Sequence, residues 1–413
     1  MGRFRTRAAA AALLSLLALG SAACGRARFL PGTAAPLQVL VFYDGQIGKP
    51  TSSMLQMLSA NRSAIWELAP LWYAVQPDGS VKSTTQPSVM NFAHTHNIKL
   101  MPLVVNGQST SAFLLNAGTC TSGPCAAAVS NLAAIVQKEN YDGLNIDFEL
   151  LKRAARPGLV AFVNQLHQKL RPMGKTLTVD IIPAGSQRQA DGPYNYPALA
   201  KDSDEIVLMT YDHHDNTSKP GPIAPMSWVT KCVNEALHLG VSPAHLVLGL
   251  ADYGYEWPTS GGRGHTVGLN GVDAMIARMH IKVARTADGS PHFTYGGGSH
   301  VVWYEDQVSI VPKIKLARQD HLKALALWMA GYETPAYWKA LRAAAAGQTP
   351  APSSSAAARS SSASGSTTGP SAASSSGTAG GSSSSASRGS SSSASRGSSS
   401  SSSGSSRSAS SSS

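Results

Sequence analysis

Tyr141-Asp142-Gly143-Leu144-Asn145-Ile146-Asp147-Phe148-Glu149 is the stretch on which the fold of this chain turns. Polar and apolar residues alternate along it. On a strand, Asn145, Asp147 and Glu149 therefore share one face while Leu144, Ile146 and Phe148 take the other. Two carboxylates side by side are costly to bury, and a fold tolerates them chiefly where one stays protonated. Like-charge repulsion from Asp147 is expected to lift the pKa of Glu149 and suit it to donate a proton near neutral pH. A structural acidic pair without chemistry is the plainer alternative.

Seven further apolar runs rich in Val, Ile and Leu flank this stretch: 37–42, 69–75, 99–104, 177–182, 205–210, 246–250 and 324–327. With 143–148 they make eight, alternating with helix-like segments such as 126–137, 157–170 and 227–239. Short apolar strands joined by helices match a parallel sheet buried on both faces. Eight such units predict a (β/α)8 TIM barrel, with helices outside and the polar face of 145–149 inside. An open doubly wound sheet is the runner-up, but no Gly-x-Gly-x-x-Gly follows the first run. The longest gap, 255–323, is an excursion between strands seven and eight. It contains a helix near 272–279 and reads as short of a compact α+β insertion, which predicts an open groove.

The carboxylate stretch resembles the Asp-Gly-x-x-x-Asp-x-Glu signature of glycoside hydrolase family 18, the chitinase-like barrels. Met209-Thr210-Tyr211-Asp212 is similar to that family's strand six. Leu248-Gly249-Leu250 with Tyr253-Gly254-Tyr255-Glu256-Trp257 is similar to its strand seven, and Trp328 with Gly331-Tyr332-Glu333 to its last strand. The phrasing is most similar to the branch of spore-cortex-lytic and spore-germination hydrolases. The resemblance implies a retaining, substrate-assisted glycosidase acting on β-1,4-linked N-acetylglucosamine glycans, peptidoglycan ahead of chitin, with no cofactor and no metal. In that scheme Glu149 is the acid and base, Asp147 orients the 2-acetamido group, Tyr211 donates to its oxygen and Trp328 floors the sugar ring. Asn145 and Asp212 join the substrate-binding set. Asn145 stands where many chitinases carry Asp, so it can hold a hydrogen bond but cannot share a proton. The alternative in another class is a catalytically inactive, chitinase-like glycan-binding lectin; Glu149, usually lost in such proteins, is present.

Aromatic residues at strand ends widen the set: Trp72, Tyr73, Tyr253, Tyr255, Trp257 and Trp303 could stack on sugars or pack loops, and Asn106 ends strand three. Trp72, Asn106, Tyr255 and Trp257 are taken as substrate-binding. His213, His214 and Asp215 are too close in sequence to converge on one ion and read as cleft lining.

The ends of the chain account for its charge. The 413 residues carry a formal +11, which by itself suggests a nucleic-acid partner. Residues 1–23 hold three Arg and no acid, and the tail from Ala351 holds four Arg, no acid and 35 Ser among 63 residues, so +4 remains between them. That excess is too small to argue for nucleic acid. Arg3, Arg5 and Arg7 before the apolar run 8–19 and the small residues 20–23 read as a secretory signal. Ala23-Cys24-Gly25 is similar to a bacterial lipobox, so lipid at Cys24 is expected to be the one membrane link; an ordinary cleavage at the same bond is the alternative. The organisation expected is signal 1–23, linker 24–36, barrel 37–346 and disordered Ser-rich tail 347–413, in a monomer secreted or anchored outside the membrane. Export permits disulfides, and Cys120 and Cys125, separated by Thr-Ser-Gly-Pro, are expected to close a local staple with Cys232 left as a buried thiol.

Overall fold

The computed structural model describes residues 35–45, 51–107, 114, 118–183 and 192–350. The expected signal, Cys24 and most of the Ser-rich tail lie outside the described residues.

Eight parallel strand positions close on themselves. In chain order they are β1 (Val39–Tyr43), β2 (Ile65–Val75), the broken pair β4 (Lys99–Leu100) and β5 (Leu103–Asn106), β6 (Gly143–Asp147), β7 (Thr176–Ile181), β8 (Glu205–Leu208), β9 (Leu246–Ala251) and β15 (Ala324–Trp328). Each pairs with its neighbour, and β1 pairs with both β2 and β15, which closes the barrel. The break between β4 and β5 falls at Pro102, which has no N–H for the ladder. β2 begins before its apolar run because Ile65 to Leu68 pair with β1 and β4, and its C-terminal end forms a hairpin with β3 (Val81–Ser83).

Helices α1 (Thr51–Asn61), α2 (Pro87–Thr95), α3 (Gly123–Glu139), α4 (Arg156–Leu170), α5 (Tyr196–Lys201) and α6 (Met226–His238) follow barrel strands. In α4 the buried residues Leu159, Phe162, Val163, Leu166 and Leu170 recur at helical spacing, so one stripe packs against the sheet and the rest faces water. Cys120 and Cys125 are disulfide-bonded across the start of α3, and Cys232 is a buried free thiol in α6.

The excursion after β9 carries more structure than the sequence reading expected. Strands β10 (Tyr253–Pro258), β11 (His265–Gly268), β12 (Ala284–Arg285), β13 (Pro291–Tyr295) and β14 (His300–Tyr304) form an antiparallel sheet in the order β11-β10-β14-β13-β12, with α7 (Leu269–Met279) between β11 and β12. This is a compact α+β unit. β10 starts two residues beyond the end of β9, so its first residues stand directly at the barrel mouth. Two helices complete the fold, α8 (Ile310–Gln319) before β15 and α9 (Pro335–Ala345) after it. Among the described residues no helix is long and apolar enough to cross a membrane.

The barrel interior is polar along one column. Asn145 and Asp147 on β6, Thr178 and Asp180 on β7, Glu205 on β8 and Glu67 on β2 are all buried. Near the N-terminal ends of the strands Lys323 Nζ reaches Glu205 at 2.8 Å and Thr178 donates to the same carboxylate at 3.2 Å. At the opposite end lie Asp147 and Glu149.

Candidate active site

The segment that carries the two acids is held at each residue. Asp147 ends β6, and Phe148 stacks on Phe162 of α4 with ring centroids 5.1 Å apart. Tyr194 donates its phenol to the carbonyl of Phe148 at 3.0 Å. Asn106, at the end of β5, clasps the main chain of Glu149: its Oδ1 accepts from the Glu149 N–H at 2.8 Å and its Nδ2 donates to the Glu149 carbonyl at 2.9 Å. Immediately afterwards Leu150 turns the chain with φ of 54°, a left-handed conformation that costs an L-residue roughly 1–2 kcal/mol, and leaves its side chain 64% exposed.

A cavity of about 230 Å³ opens over these acids, lined by Asp147, Glu149, Met209, Tyr211, Asp212, Tyr253, Tyr255, Thr266, Trp328 and Tyr332. Ligand pockets usually start near 300 Å³, so it has the size of one subsite within a longer groove. Its walls come from the C-terminal ends of β6, β8 and β15 and from the excursion, which explains why residues far apart in sequence meet there. Asp212 is fixed by two phenols, Tyr253 at 2.5 Å and Tyr255 at 2.8 Å, both donating to Oδ1. Tyr211 is buried, and its hydroxyl makes no hydrogen bond within the protein. Burial foremost, reinforced by the neighbouring acids Asp180 and Asp147, pushes its pKa well up, so it stays a neutral donor. The ring of Tyr211 lies against Gly249, where an added Cβ would come within 3.0 Å of it and 2.7 Å of the Leu208 carbonyl. Trp328 ends β15, packed on Phe42 at 5.2 Å, and its peptide bond to Met329 is cis.

Of the residues singled out from sequence, Asp147, Glu149, Tyr211, Asp212, Tyr255 and Trp328 meet in this cavity. Asn145 lies beneath them, fully buried. Asn106 is placed differently from the expectation: both ends of its amide are engaged by the Glu149 backbone, so it positions the acid and does not present itself to a sugar. Trp72 and Trp257 also differ. Trp72 packs near Tyr141, with centroids 6.2 Å apart, and Trp257 packs on Tyr255 at 5.6 Å; at 3% and 1% exposure neither offers a ring face to a ligand. His213 packs at a tilt on Trp228, with centroids 4.9 Å apart, and Asp215 Oδ1 accepts from the N–H of Thr217 at 2.8 Å, closing a local turn. Among the described residues no cluster of His, Cys, Asp and Glu could hold a metal ion.

Residues 61–333 match the model of the glycosyl hydrolases family 18. The chain belongs to that family. It is 27% identical over 219 residues to "Uncharacterized glycosylase YvbX" of Bacillus subtilis, covering 51% of this chain and 63% of that one. It is 24% identical over 330 residues to a cortical fragment-lytic enzyme of Bacillus anthracis, covering 75% of each. The chain spans less than two thirds of the length of YvbX and 52% of that of the putative sporulation-specific glycosylase YdhD. Among solved structures, a chitinase from Chromobacterium violaceum superposes with a TM-score of 0.67 at 25% identity, over 75% of this chain and 98% of that one. The Bacillus megaterium spore cortex-lytic enzyme SleL shares the fold, with a TM-score of 0.65 at 21% identity over 74% of this chain and 73% of that one.

In this family 18 barrel the sequence reading missed Asp180, Met209 and Thr266 as neighbours of the acids. Asp180 was open to discovery: it breaks the apolar run 177–182 at a position of the same alternation that singled out Asn145 and Asp147. Thr266 carried no signal, because only the folding back of β11 on β10 brings it to the cavity.

Proposed function

We propose that this chain is an exported glycosidase that cleaves β-1,4-linked N-acetylglucosamine glycans with retention, the substrate's own acetamido group acting as nucleophile, and that its preferred glycan is peptidoglycan. The observation that carries the proposal is the meeting of Glu149, Asp147, Tyr211 and Trp328 in one cavity at the C-terminal mouth of the barrel.

Glu149 protonates the glycosidic oxygen as the C1–O bond breaks. The 2-acetamido carbonyl oxygen attacks C1 and closes an oxazolinium ring. Asp147 accepts from the acetamido N–H and stabilises the positive charge, while the Tyr211 phenol donates to the acetamido oxygen. Trp328 supplies an apolar floor against which the sugar ring is held. Glu149, now a carboxylate, takes a proton from water as the water opens the oxazolinium at C1, and the configuration is retained. Peptidoglycan is favoured by the relatives named cortical fragment-lytic enzymes and by the signal-like N-terminus, which also motivates lipid attachment at Cys24.

The test compares the full chain with Glu149→Gln and Asp147→Asn on peptidoglycan and on chitin oligosaccharides, following the release of reducing N-acetylglucosamine ends. Loss of general acid catalysis is expected to lower turnover by about 10²-fold or more for Glu149→Gln, and Asp147→Asn is expected to lose most turnover with the circular dichroism spectrum unchanged. Oligosaccharide binding without turnover by the native chain would select the lectin reading; near-native activity of Asp147→Asn would refute the substrate-assisted scheme.

A further inference from the structure

The carboxylates of the barrel continue below the two at its mouth. β7 runs parallel to β6 with Asn145 opposite Thr178 and Ile146 opposite Val179, so the next step of the ladder sets Asp180 beside Asp147. Thr178 turns its hydroxyl to Glu205 inside the barrel, and alternation puts Asp180 on the same inner face. Asp180 is 1% exposed, and neither of its oxygens makes a well-formed hydrogen bond within the protein.

Its surroundings favour a proton on it. Burial first, then the charge of Asp147, raise its pKa well above the usual carboxylate range, and Glu67 and Glu149 act in the same direction. The Asn145 amide is the neighbour that favours its charged form. The phenols of Tyr211 and Tyr194 stand near it and, held well above their usual range by burial, are themselves neutral. A buried carboxyl among acids, without a cation partner of its own, is stable as the neutral acid and then has one O–H to donate.

We propose that Asp180 is a positioning residue that keeps its proton and donates it as a hydrogen bond to Asp147, filling the role that an acid at position 145 would have and that Asn145 cannot. The inference rests on the substrate-assisted reading above. With the Asp180 O–H directed at one oxygen of Asp147, the other oxygen is left to hold the acetamido N–H, and Asp147 remains an anion as the oxazolinium charge develops. The proton stays on Asp180 through the cycle, so no bond forms or breaks at this residue and no co-reactant is required. Loss of that proton at high pH would put a second charge against Asp147 and Glu149 and misplace both.

Asp180→Asn keeps an N–H donor toward Asp147 and cannot ionise; Asp180→Ala removes the donor. In the full chain, Asp180→Ala is expected to lower kcat by about a hundredfold with KM little changed, a loss of the size seen when one preorganised donor is removed. Asp180→Asn is expected to recover most of that loss and to move the alkaline limb of kcat/KM to higher pH, which a packing role alone would not do. Infrared difference spectroscopy reads the proton without turnover: the native-minus-Asp180→Asn spectrum at neutral pH should contain the band of a protonated carboxyl. In an Asp147→Asn background, where the repelling charge is gone, that band should vanish at lower pH. Absence of the band at neutral pH, an unshifted alkaline limb in Asp180→Asn, or native kcat in Asp180→Ala would overturn the proposal. Inactivity of the native chain on every N-acetylated glycan would instead overturn the glycosidase reading, while the infrared measurement still decides whether Asp180 carries a proton.

Discussion

The position of Glu149 depends on an amide that belongs to another strand. Asn106 both accepts from and donates to the Glu149 main chain, and the acid sits one residue before a left-handed turn at Leu150. A backbone poised between a strand end and a strained turn has few restraints of its own, so the clasp sets where the carboxyl points. Misplacement of a reacting group by about 1 Å can cost on the order of 10²-fold in rate. Asn106→Ala is therefore expected to reduce kcat by about ten- to a hundredfold with a smaller change in KM, and to lower unfolding stability by about 1–3 kcal/mol through the unsatisfied main-chain groups it leaves. Asn106→Asp keeps the acceptor, loses the donor and adds a charge beside the acid; its kcat should fall at least as far as that of Asn106→Ala, although its volume is nearly native. Steady-state kinetics and urea titrations on the two variants check both statements. Equal kcat in all three proteins would show that Glu149 is placed by other contacts.

Between β8 and β9 a close approach shapes the cavity wall. A Cβ at Gly249 would stand 2.7 Å from the Leu208 carbonyl and press the Tyr211 ring at 3.0 Å, and the neighbouring Thr210 hydroxyl donates to the Gly249 carbonyl at 2.6 Å. Gly249→Ala should cost about 1–3 kcal/mol, as overpacking does, and should displace the Tyr211 phenol, so that kcat falls more than stability alone explains. A thermal melt beside the kinetics separates the two effects. Elements buried on both faces, such as β9, were legible in the sequence because each is a continuous apolar run, and the same logic with strict alternation exposed Asp147 and Glu149. The excursion was not legible. Two of its strands are short, β11 with four residues and β12 with two, and neither carries apolar alternation, so pairing with β10 and with β13 and not local pattern makes them strands. Trp72 and Trp257 were misplaced for a related reason. An aromatic residue at a strand end looks the same in sequence whether its ring meets a sugar or a neighbouring tyrosine, and only tertiary packing decides.

The whole barrel bears the consequence of an acidic interior. Asp180 and Glu67 are both fully buried, and burial, followed for Glu67 by the charge of Glu205 and for Asp180 by that of Asp147, raises both pKa values well above the ordinary carboxylate range; Lys99 and Lys323 only moderate the effect on Glu67. In the unfolded chain the same groups ionise near pH 4. Between that pH and their higher folded pKa values the native state holds protons that the unfolded state has released, so stability contributed below the unfolded pKa is lost as pH rises through this window. Each group contributes a slope of about 1.4 kcal/mol per pH unit while it is protonated folded and ionised unfolded. Urea unfolding midpoints of the native chain should therefore fall from mildly acidic pH upward. Asp180→Asn and Glu67→Gln, which cannot ionise, should each remove one such slope and unfold at higher urea than the native chain at neutral and alkaline pH, with the difference shrinking toward pH 4. A variant whose advantage were independent of pH would owe it to packing. For Asp180→Asn the comparison also bears on function, because a buried acid that weakens the fold at working pH and can be replaced with a gain in stability is expected to be kept for its effect on Asp147.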